Sequence, residues 1–268
     1  MMITDDRLEG LSEEEMKRYS RHLTLREVGV EGQERLKAAR VLIVGAGGLG
    51  SPLGLYLAAA GVGTLGIVDF DIVEESNLQR QIIHSTPNIG KLKTISAKER
   101  INALNPHVKA VEYRTALTGG NALEIVRGYD LAVDGTDNFS ARYILNEACV
   151  TAGIPYVYGS VYEFTGQASV FYAKEGPCYR CAFPAPPQSA APAKSIGVMG
   201  VMPGIIGCIQ AAEAVKLIVG HGDSLIGRLL MADALSMEFS EIALQKEPGC
   251  PVCGKNHTDT ISPQRSAV

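Results

Sequence analysis

The glycine-rich segment Gly45-Ala46-Gly47-Gly48-Leu49-Gly50 is the first part of the sequence with the residue types and spacing for chemistry. It follows the apolar run 41–44, and Asp69 stands about 20 residues further on, after the next apolar run. Glycines let a backbone approach phosphate closely, a helix start offers free N–H groups, and the acidic residue accepts ribose hydroxyls. The pattern predicts a nucleotide site. Nicotinamide and flavin dinucleotides are its common users, and a glycine turn without ligand is the alternative.

Charged side chains follow at positions suited to a triphosphate. They stand in Ser76-Asn77-Leu78-Gln79-Arg80-Gln81 after Asp69-Phe70-Asp71, in Gly90-Lys91-Leu92-Lys93 and in Asp134-Gly135-Thr136-Asp137-Asn138. Reactions at phosphorus need cations more than hydride transfer does, so Arg80 and Lys93 could neutralise charge on β- and γ-oxygens. Asp137, at the end of a predicted strand, could hold Mg²⁺. Taken singly, Arg80 and Lys93 are also typical surface charges, and Asp137 is a typical helix N-cap.

Four of the six cysteines form two Cys-x-x-Cys pairs. The pairs are Cys178 with Cys181 and Cys250 with Cys253. Four thiolates suit tetrahedral Zn²⁺ in a closed, structural site, while redox pairs and other metals remain alternatives. The acidic, polar N-terminus does not resemble a secretion signal, which favours metal ligands over disulfides. Cys149 and Cys208 are expected to be buried packing residues.

The elements that must hold these residues alternate between strand and helix. Strands are predicted at 41–44, 65–68, 108–113, 131–133 and 156–158, and helices at 53–60, 91–104, 122–127 and 139–152. This alternation is typical of an α/β, Rossmann-like, doubly wound and mostly parallel sheet. In such sheets ligands bind at the carboxyl ends of the strands, where the glycine-rich segment and Asp137 stand.

The ends of the chain follow a different pattern. Antiparallel C-terminal strands are predicted at 168–172, 229–232 and 237–244, an apolar helix at 203–219 and a loop rich in Pro and Ala at 182–193. An N-terminal helical arm is predicted at 1–38, with helices at 12–23 and 31–38, the first opened by a capping box of Ser12 and Glu15. The predicted ATP-binding domain is 39–255, and 256–268 is a predicted disordered tail.

Composition excludes several classes of protein. The 268 residues are 46% hydrophobic and 20% charged, which argues against extensive disorder. A net charge of −4 argues against binding nucleic acid through a basic surface and against a polybasic membrane anchor. No apolar run is expected to reach the ~18–20 residues of a membrane span, so a cytoplasmic protein that contacts neither membrane nor nucleic acid is predicted.

Several motifs extend from about Tyr19 to Gly254. They are Arg18-Tyr19-Ser20-Arg21, the glycine-rich segment, Asp69-Phe70-Asp71, Ser76 to Gln81, Thr136-Asp137-Asn138 and both cysteine pairs. Together they resemble the MoeB/ThiF family of ubiquitin-activating-enzyme-like adenylyltransferases. The resemblance implies a homodimer that uses ATP and Mg²⁺ to adenylylate the C-terminal glycine of a ubiquitin-like sulfur-carrier protein ending in Gly-Gly, with release of pyrophosphate. Molybdopterin, thiamine, thiolated tRNA or cysteine synthesis would follow.

The resemblance also implies a set of nucleotide contacts. The predicted nucleotide-binding residues are Gly48, Asp69, Asp71, Ser76, Asn77, Leu78, Gln79, Arg80, Lys93, Asp137 and Asn138. Within this set Gly48 would contact the nucleotide through its backbone and Asp69 would hold the ribose. Arg80 and Lys93, with Asn77, would grip the triphosphate, and Asp137 would hold the magnesium ion.

Arg21 completes the predicted catalytic set of Arg21, Arg80, Lys93 and Asp137. The resemblance implies that it reaches into the partner subunit's site as an arginine finger, since a guanidinium is always charged and presents a fork to phosphate. An ordinary charge on the N-terminal helix is the alternative. The carrier's carboxylate is already ionised and needs orientation rather than a general base. None of the five histidines is therefore assigned a role, although His84 stands closest to the nucleotide segment.

One departure from the family and two rival functions remain open. Many relatives carry a cysteine shortly before a Gly-Val-x-Gly segment, whereas residues 192–200 contain no thiol and Ala193 stands near the usual position. Either the protein stops at the adenylate or the cysteine has been replaced, and any sulfur must come from a donor protein in trans. The rivals are an NAD(P)-dependent oxidoreductase, supported by the glycine-rich segment and Asp69, and an inactive scaffold that binds a ubiquitin-like partner.

Overall fold

One eight-stranded sheet forms the centre of the protein. The computed structural model describes Ile3, residues 5–186 and residues 197–254. The strands are β1 (Arg40–Val44), β2 (Thr64–Val68), β3 (Lys109–Tyr113), β4 (Leu131–Asp134), β5 (Tyr156–Tyr162), β6 (Thr165–Phe171), β7 (Arg228–Asp233) and β8 (Glu238–Ala243). Their order is β3-β2-β1-β4-β5-β6-β7-β8, with β1 to β5 parallel and β6 to β8 antiparallel. The predicted fold class is confirmed.

Helices cover both faces of this sheet. Those described are α1 (Glu13–Arg18), α2 (Ser20–Leu23), α3 (Gly29–Ala38), α4 (Gly50–Ala60), α5 (Lys93–Leu104), α6 (Ala122–Val126), α7 (Phe139–Ala152), α8 (Tyr179–Ala182) and α9 (Met202–Val219). The predicted loop at 182–193 lies partly, and the predicted tail from 256 wholly, outside the described residues.

Alternation along the parallel strands divides the core in two. In β1, Val41 and Ile43 face a cluster that includes side chains of α4, α5 and α9, while Leu42 and Val44 face a second cluster with α6 and α7. Successive side chains of a strand point to opposite faces, so a strand covered on both sides must be apolar throughout. That is why the buried strands appear in the sequence as continuous apolar runs rather than alternating ones.

The N-terminal arm differs from its prediction at Tyr19. The capping box of Ser12 and Glu15 is present, but the predicted helix at 12–23 is broken into α1 and α2 at Tyr19, whose φ and ψ are −96° and 13°. The Tyr19 ring is buried, and its hydroxyl accepts a hydrogen bond of 2.8 Å from the Asn105 side chain. Local propensity supports a continuous helix, whereas burial of this ring fixes a turn.

Helix α9 corrects the expectation that no apolar run is long enough to span a membrane. Its 18 residues have a mean hydropathy of 1.5, enough in length and composition to cross a membrane. However, 56% of this helix is buried within the protein, where it packs on α4, β5 and β6. Its apolar composition is therefore explained by a position in the core.

Candidate active site

Two loops meet at the carboxyl ends of β1 and β4. We call residues 45–50 the glycine loop and residues 134–138 the aspartate loop. A Cβ atom on Gly45 would lie 2.5 Å from the carbonyl oxygen of Gly135, and a Cβ on Gly135 would collide with the carbonyl oxygen of Gly45. The chain leaves β1 towards β2 and returns to the other side of β1 as β4. Open α/β sheets bind ligands at such a switch point.

Asp69 ties the end of β2 to the glycine loop. Its Oδ2 atom accepts a hydrogen bond of 2.8 Å from the Ala46 N–H, and Oδ1 accepts one of 2.8 Å from the Asp71 N–H. Burial raises the pKa of Asp69, and the nearby ammonium of Lys93 opposes this rise. The carboxylate therefore lies against the loop at the position where the sequence predicts a ribose contact.

Lys93 brings a buried cation to the same edge of the sheet. Its Nζ atom lies 3.0 Å from Oδ2 of Asp71, and only 9% of the Lys93 side chain is exposed, against 53% for Asp71. Helix α5 begins at Lys93 rather than at the predicted residue 91, because the Lys93 N–H donates to the Asp71 carbonyl and Leu92 pairs with Ile72. This pairing holds the ammonium close to the glycine loop.

Arg80 lies over the glycine loop. Its Cγ atom is 3.6 Å from the position that a Cβ on Gly48 would take, and its Nη1 donates a hydrogen bond of 3.1 Å to the Ser76 carbonyl. Asn77 is buried, and its Oδ1 accepts from the Glu74 N–H at 3.2 Å, which fixes the turn that carries Arg80.

The other side chains of that predicted segment have different surroundings. Gln79 lies against the segment that precedes α9, because its Oε1 atom is 2.5 Å from where a Cβ on Gly200 would be. Leu78 is half-buried and Ser76 is exposed. Arg80 is thus the charged group that this segment places against the glycine loop.

The aspartate loop presents Asp137 to solvent. Asp137 is exposed, and its carboxylate has no hydrogen bond or ion pair with the described residues. The N-cap of α7 is instead Asn138, whose Oδ1 accepts a hydrogen bond of 2.9 Å from the Ala141 N–H. Because Asn138 performs the capping, Asp137 is left with a carboxylate that suits a hard cation such as Mg²⁺.

A buried ion pair that the sequence reasoning missed supports this loop. The carboxylate of Asp134 accepts hydrogen bonds from the N–H and hydroxyl of Thr136 and from the Tyr156 hydroxyl, and lies 3.5 Å from Nε of Arg142. Arg142 in turn donates to the Thr136 carbonyl at 3.3 Å. Burial alone would lower the pKa of Arg142, but the charge of Asp134 raises it, so Arg142 stays a cation.

A sequence signal for this pair existed. Arg142, Leu145, Asn146 and Cys149 recur at helical spacing and share the buried face of α7. An arginine on such a face requires a buried acidic partner. Asp134, at the end of the apolar run that forms β4, was the available candidate.

His84 contacts the glycine loop from the opposite side to solvent. It is buried, its Nε2 lies 2.9 Å from the Ala46 carbonyl oxygen, and its Nδ1 lies 2.8 Å from the Ser96 hydroxyl. Burial lowers the pKa of His84 to about 4, so the ring is neutral near pH 7. Sequence reasoning found no acidic partner for this histidine because its partners are a backbone carbonyl and a hydroxyl.

The two cysteine pairs converge although 68 residues lie between Cys181 and Cys250. All four Sγ atoms lie within 4.8 Å of one another, with distances of 3.8 Å from Cys178 to Cys181, 3.6 Å from Cys178 to Cys250 and 3.4 Å from Cys181 to Cys253. Tetrahedral Zn–S bonds of about 2.3 Å require sulfur separations of about 3.8 Å. The donor set therefore fits a zinc ion.

Comparison with known proteins identifies the family of this chain. Residues 19–252 match the family model described as ThiF family. The chain belongs to the ThiF family. This stretch includes the glycine loop, Asp69, Arg80, the aspartate loop and three of the four paired cysteines, and it ends one residue before Cys253.

Curated relatives and solved structures agree with this assignment. The sulfur carrier protein adenylyltransferase of Thermus thermophilus is 48% identical, over 92% of this chain and 94% of its own. Bovine adenylyltransferase and sulfurtransferase MOCS3 is 49% identical over 94% of this chain, which spans 56% of that protein. The crystal structure of Escherichia coli MccB with MccA-N7isoASN superposes with a TM-score of 0.80 over 90% of this chain and 75% of its own, at 24% identity, which supports the fold.

Arg21 lies far from the glycine loop of its own chain. The neighbouring Tyr19 packs against Gly61, at the end of α4 opposite to Gly50. The 11 residues of α4 span about 16 Å, more than an arginine side chain can reach. Within the described part of the chain, no hydrogen bond or ion pair joins the Arg21 side chain to Asp69, Arg80 or Lys93.

The two remaining cysteines differ in exposure. Cys149 is buried, as predicted, and burial raises the pKa of its thiol. Cys208 is exposed, so its prediction as a buried packing residue is wrong. It stands on the outer face of α9, whereas Gly207 and Gln210 face the protein interior. Residues 192–196, including Ala193, lie outside the described residues.

Proposed function

We propose that this protein adenylylates the C-terminal glycine of a ubiquitin-like sulfur-carrier protein at the expense of ATP. The observation that carries this proposal is the convergence of the glycine loop, Asp69, Lys93, Arg80 and Asp137 at one switch point. Family membership and relatives named adenylyltransferases support it. These relatives lend no support to an NAD(P)-dependent oxidoreductase, and an intact set of charged side chains argues against an inactive scaffold.

The reaction needs neutralisation of the negative charge on the leaving pyrophosphate rather than proton transfer. A carboxylate oxygen of the carrier's terminal glycine forms a bond to the α-phosphorus, the bond from that phosphorus to the bridging β-phosphate oxygen breaks, and pyrophosphate leaves with the electron pair. N–H groups of the glycine loop bind phosphate, Asp69 accepts ribose hydroxyls, and Arg80 and Lys93 neutralise the leaving group. Asp137 would hold Mg²⁺, which supplies further positive charge beside the pyrophosphate when bound.

Substitution of Asp137 by Asn tests the assigned magnesium ligand. Loss of one carboxylate at a divalent cation should lower ATP–pyrophosphate exchange, measured with a cognate carrier ending in Gly-Gly, by about 100-fold or more. The fold should persist, because Asp137 is exposed and bonds no described residue. Asp223→Asn, another exposed aspartate at the far end of α9, is the matched control and should keep parental exchange. Parental exchange in Asp137→Asn would contradict the assignment.

We propose further that the enzyme is a homodimer and that Arg21 acts in the partner's site. Its remoteness from the glycine loop of its own chain supports a role in trans. The donor of sulfur would likewise be a separate protein, and the cytoplasm the place of reaction. The downstream product would be molybdopterin, thiamine, a thiolated tRNA or cysteine.

Mixing two inactive variants tests the shared site. Equal amounts of Arg21→Ala and Asp137→Asn protomers that re-associate randomly give about half heterodimers, and each heterodimer contains one intact site out of two, so about a quarter of parental exchange should return. Arg21→Ala mixed with Arg21→Lys is the control and should show no such gain. Absence of recovery despite heterodimer formation, seen by native mass spectrometry, would argue against the arrangement in trans.

The four-cysteine cluster is proposed to hold a structural zinc ion through Cys178, Cys181, Cys250 and Cys253. Elemental analysis should find one zinc per chain, and Cys250→Ser should lose it with a lower melting temperature, since the metal ties the C-terminal segment to α8. Cys208→Ser, an exposed cysteine outside the cluster, should retain zinc. Stoichiometric zinc in Cys250→Ser, or disulfides in the parent protein, would overturn the assignment.

A further inference from the structure

Both peptide groups that contain Ala46 are held by side chains from outside the glycine loop. Asp69 accepts from the Ala46 N–H and so fixes the peptide between Gly45 and Ala46. Nε2 of His84 contacts the Ala46 carbonyl and so fixes the peptide between Ala46 and Gly47. Without the His84 contact the second peptide could rotate readily, because Gly47 has no side chain and tolerates almost any φ.

The partners of His84 determine where its proton lies. A carbonyl oxygen only accepts hydrogen bonds, so Nε2 must carry the hydrogen that binds Ala46. In the neutral ring Nδ1 then has a lone pair, which accepts from the Ser96 hydroxyl at 2.8 Å. Burial and the nearby charge of Lys93 both disfavour a second proton on the ring.

The orientation of the Ala46 carbonyl controls the N–H of Gly47. In a trans peptide the C=O and N–H groups point in opposite directions, and the described chain contains no cis peptide. With the carbonyl directed into the protein at His84, the Gly47 N–H is directed away from it, and it has no acceptor among the described residues. A flipped peptide would instead present a carbonyl oxygen to an anion.

We propose that His84 is a positioning residue for nucleotide binding, which holds the Ala46–Gly47 peptide so that the Gly47 N–H faces the phosphates of ATP. The role rests on the proposed function in one respect, that ATP is the ligand of the glycine loop. Ser96 contributes to this positioning, because its hydroxyl holds the His84 ring with the Nε2 hydrogen directed at the glycine loop.

The affinities of His84 variants for ATP and for adenosine distinguish a role in phosphate binding from a general role in stabilising the fold. His84→Leu removes the donor and should weaken ATP·Mg binding, measured by calorimetry, about 10- to 100-fold, while adenosine, which has no phosphate, should bind within about 2-fold of the parent. His84→Gln, whose amide can donate to the same carbonyl, should recover ATP affinity to within about 3-fold of the parent. Equal losses for both ligands, or no loss of ATP affinity, would overturn the role.

A second measurement covers the case in which His84→Leu does not fold. Nitrogen-15 NMR of the His84 ring should show hydrogen on Nε2 and none on Nδ1 at pH 7, and ATP affinity in Ser96→Ala should fall more than adenosine affinity. The opposite tautomer would overturn the role.

Two outcomes distinguish failure of the proposed function from failure of the role of His84. If the unaltered chain binds adenosine but not ATP·Mg, the proposed function fails. If the unaltered chain binds ATP·Mg, and His84→Leu and Ser96→Ala bind it equally well, only the role of His84 fails.

Discussion

The close backbone approach between Gly45 and Gly135 is the constraint on which the site depends. At this contact a single added carbon atom would overlap a carbonyl oxygen of the opposite loop. The absence of both side chains brings the glycine loop against the aspartate loop, so that under the proposed function helix N–H groups and the Asp137 carboxylate would serve one ligand. Asp69 and His84 hold the first loop, and the buried pair of Asp134 and Arg142 holds the second.

Much of this arrangement could be predicted from local patterns. Apolar runs alternating with helical segments indicated the parallel sheet, and the spacing from the glycine loop to Asp69 placed a carboxylate beside that loop. The two Cys-x-x-Cys pairs indicated a metal site because thiolates at this spacing have few other uses in the cytoplasmic protein that the sequence predicts. Each of these signals lies within a short segment whose chemistry constrains its structure.

The unpredicted features depend on contacts between segments distant in sequence. Tyr19 breaks the first helix because its ring is buried against Asn105, 86 residues away. Asn138 rather than Asp137 caps α7, a choice between two adjacent residues with similar capping propensity that the surrounding loop decides. His84 could not be assigned because its partners are a backbone carbonyl and a hydroxyl, groups that leave no mark in the sequence.

The most direct test of whether nucleotide binding depends on the contact between Gly45 and Gly135 is the increase in melting temperature that ATP·Mg causes in the variant Gly135→Ala. The added methyl group must move the two loops apart, so the variant should remain folded while ATP·Mg no longer raises its melting temperature. Gly119→Ala, where an added Cβ meets no atom within 4 Å, should keep the full increase of the parent protein. An undiminished increase in Gly135→Ala would contradict the account, because the glycine loop and the aspartate loop would then act on the nucleotide without their contact.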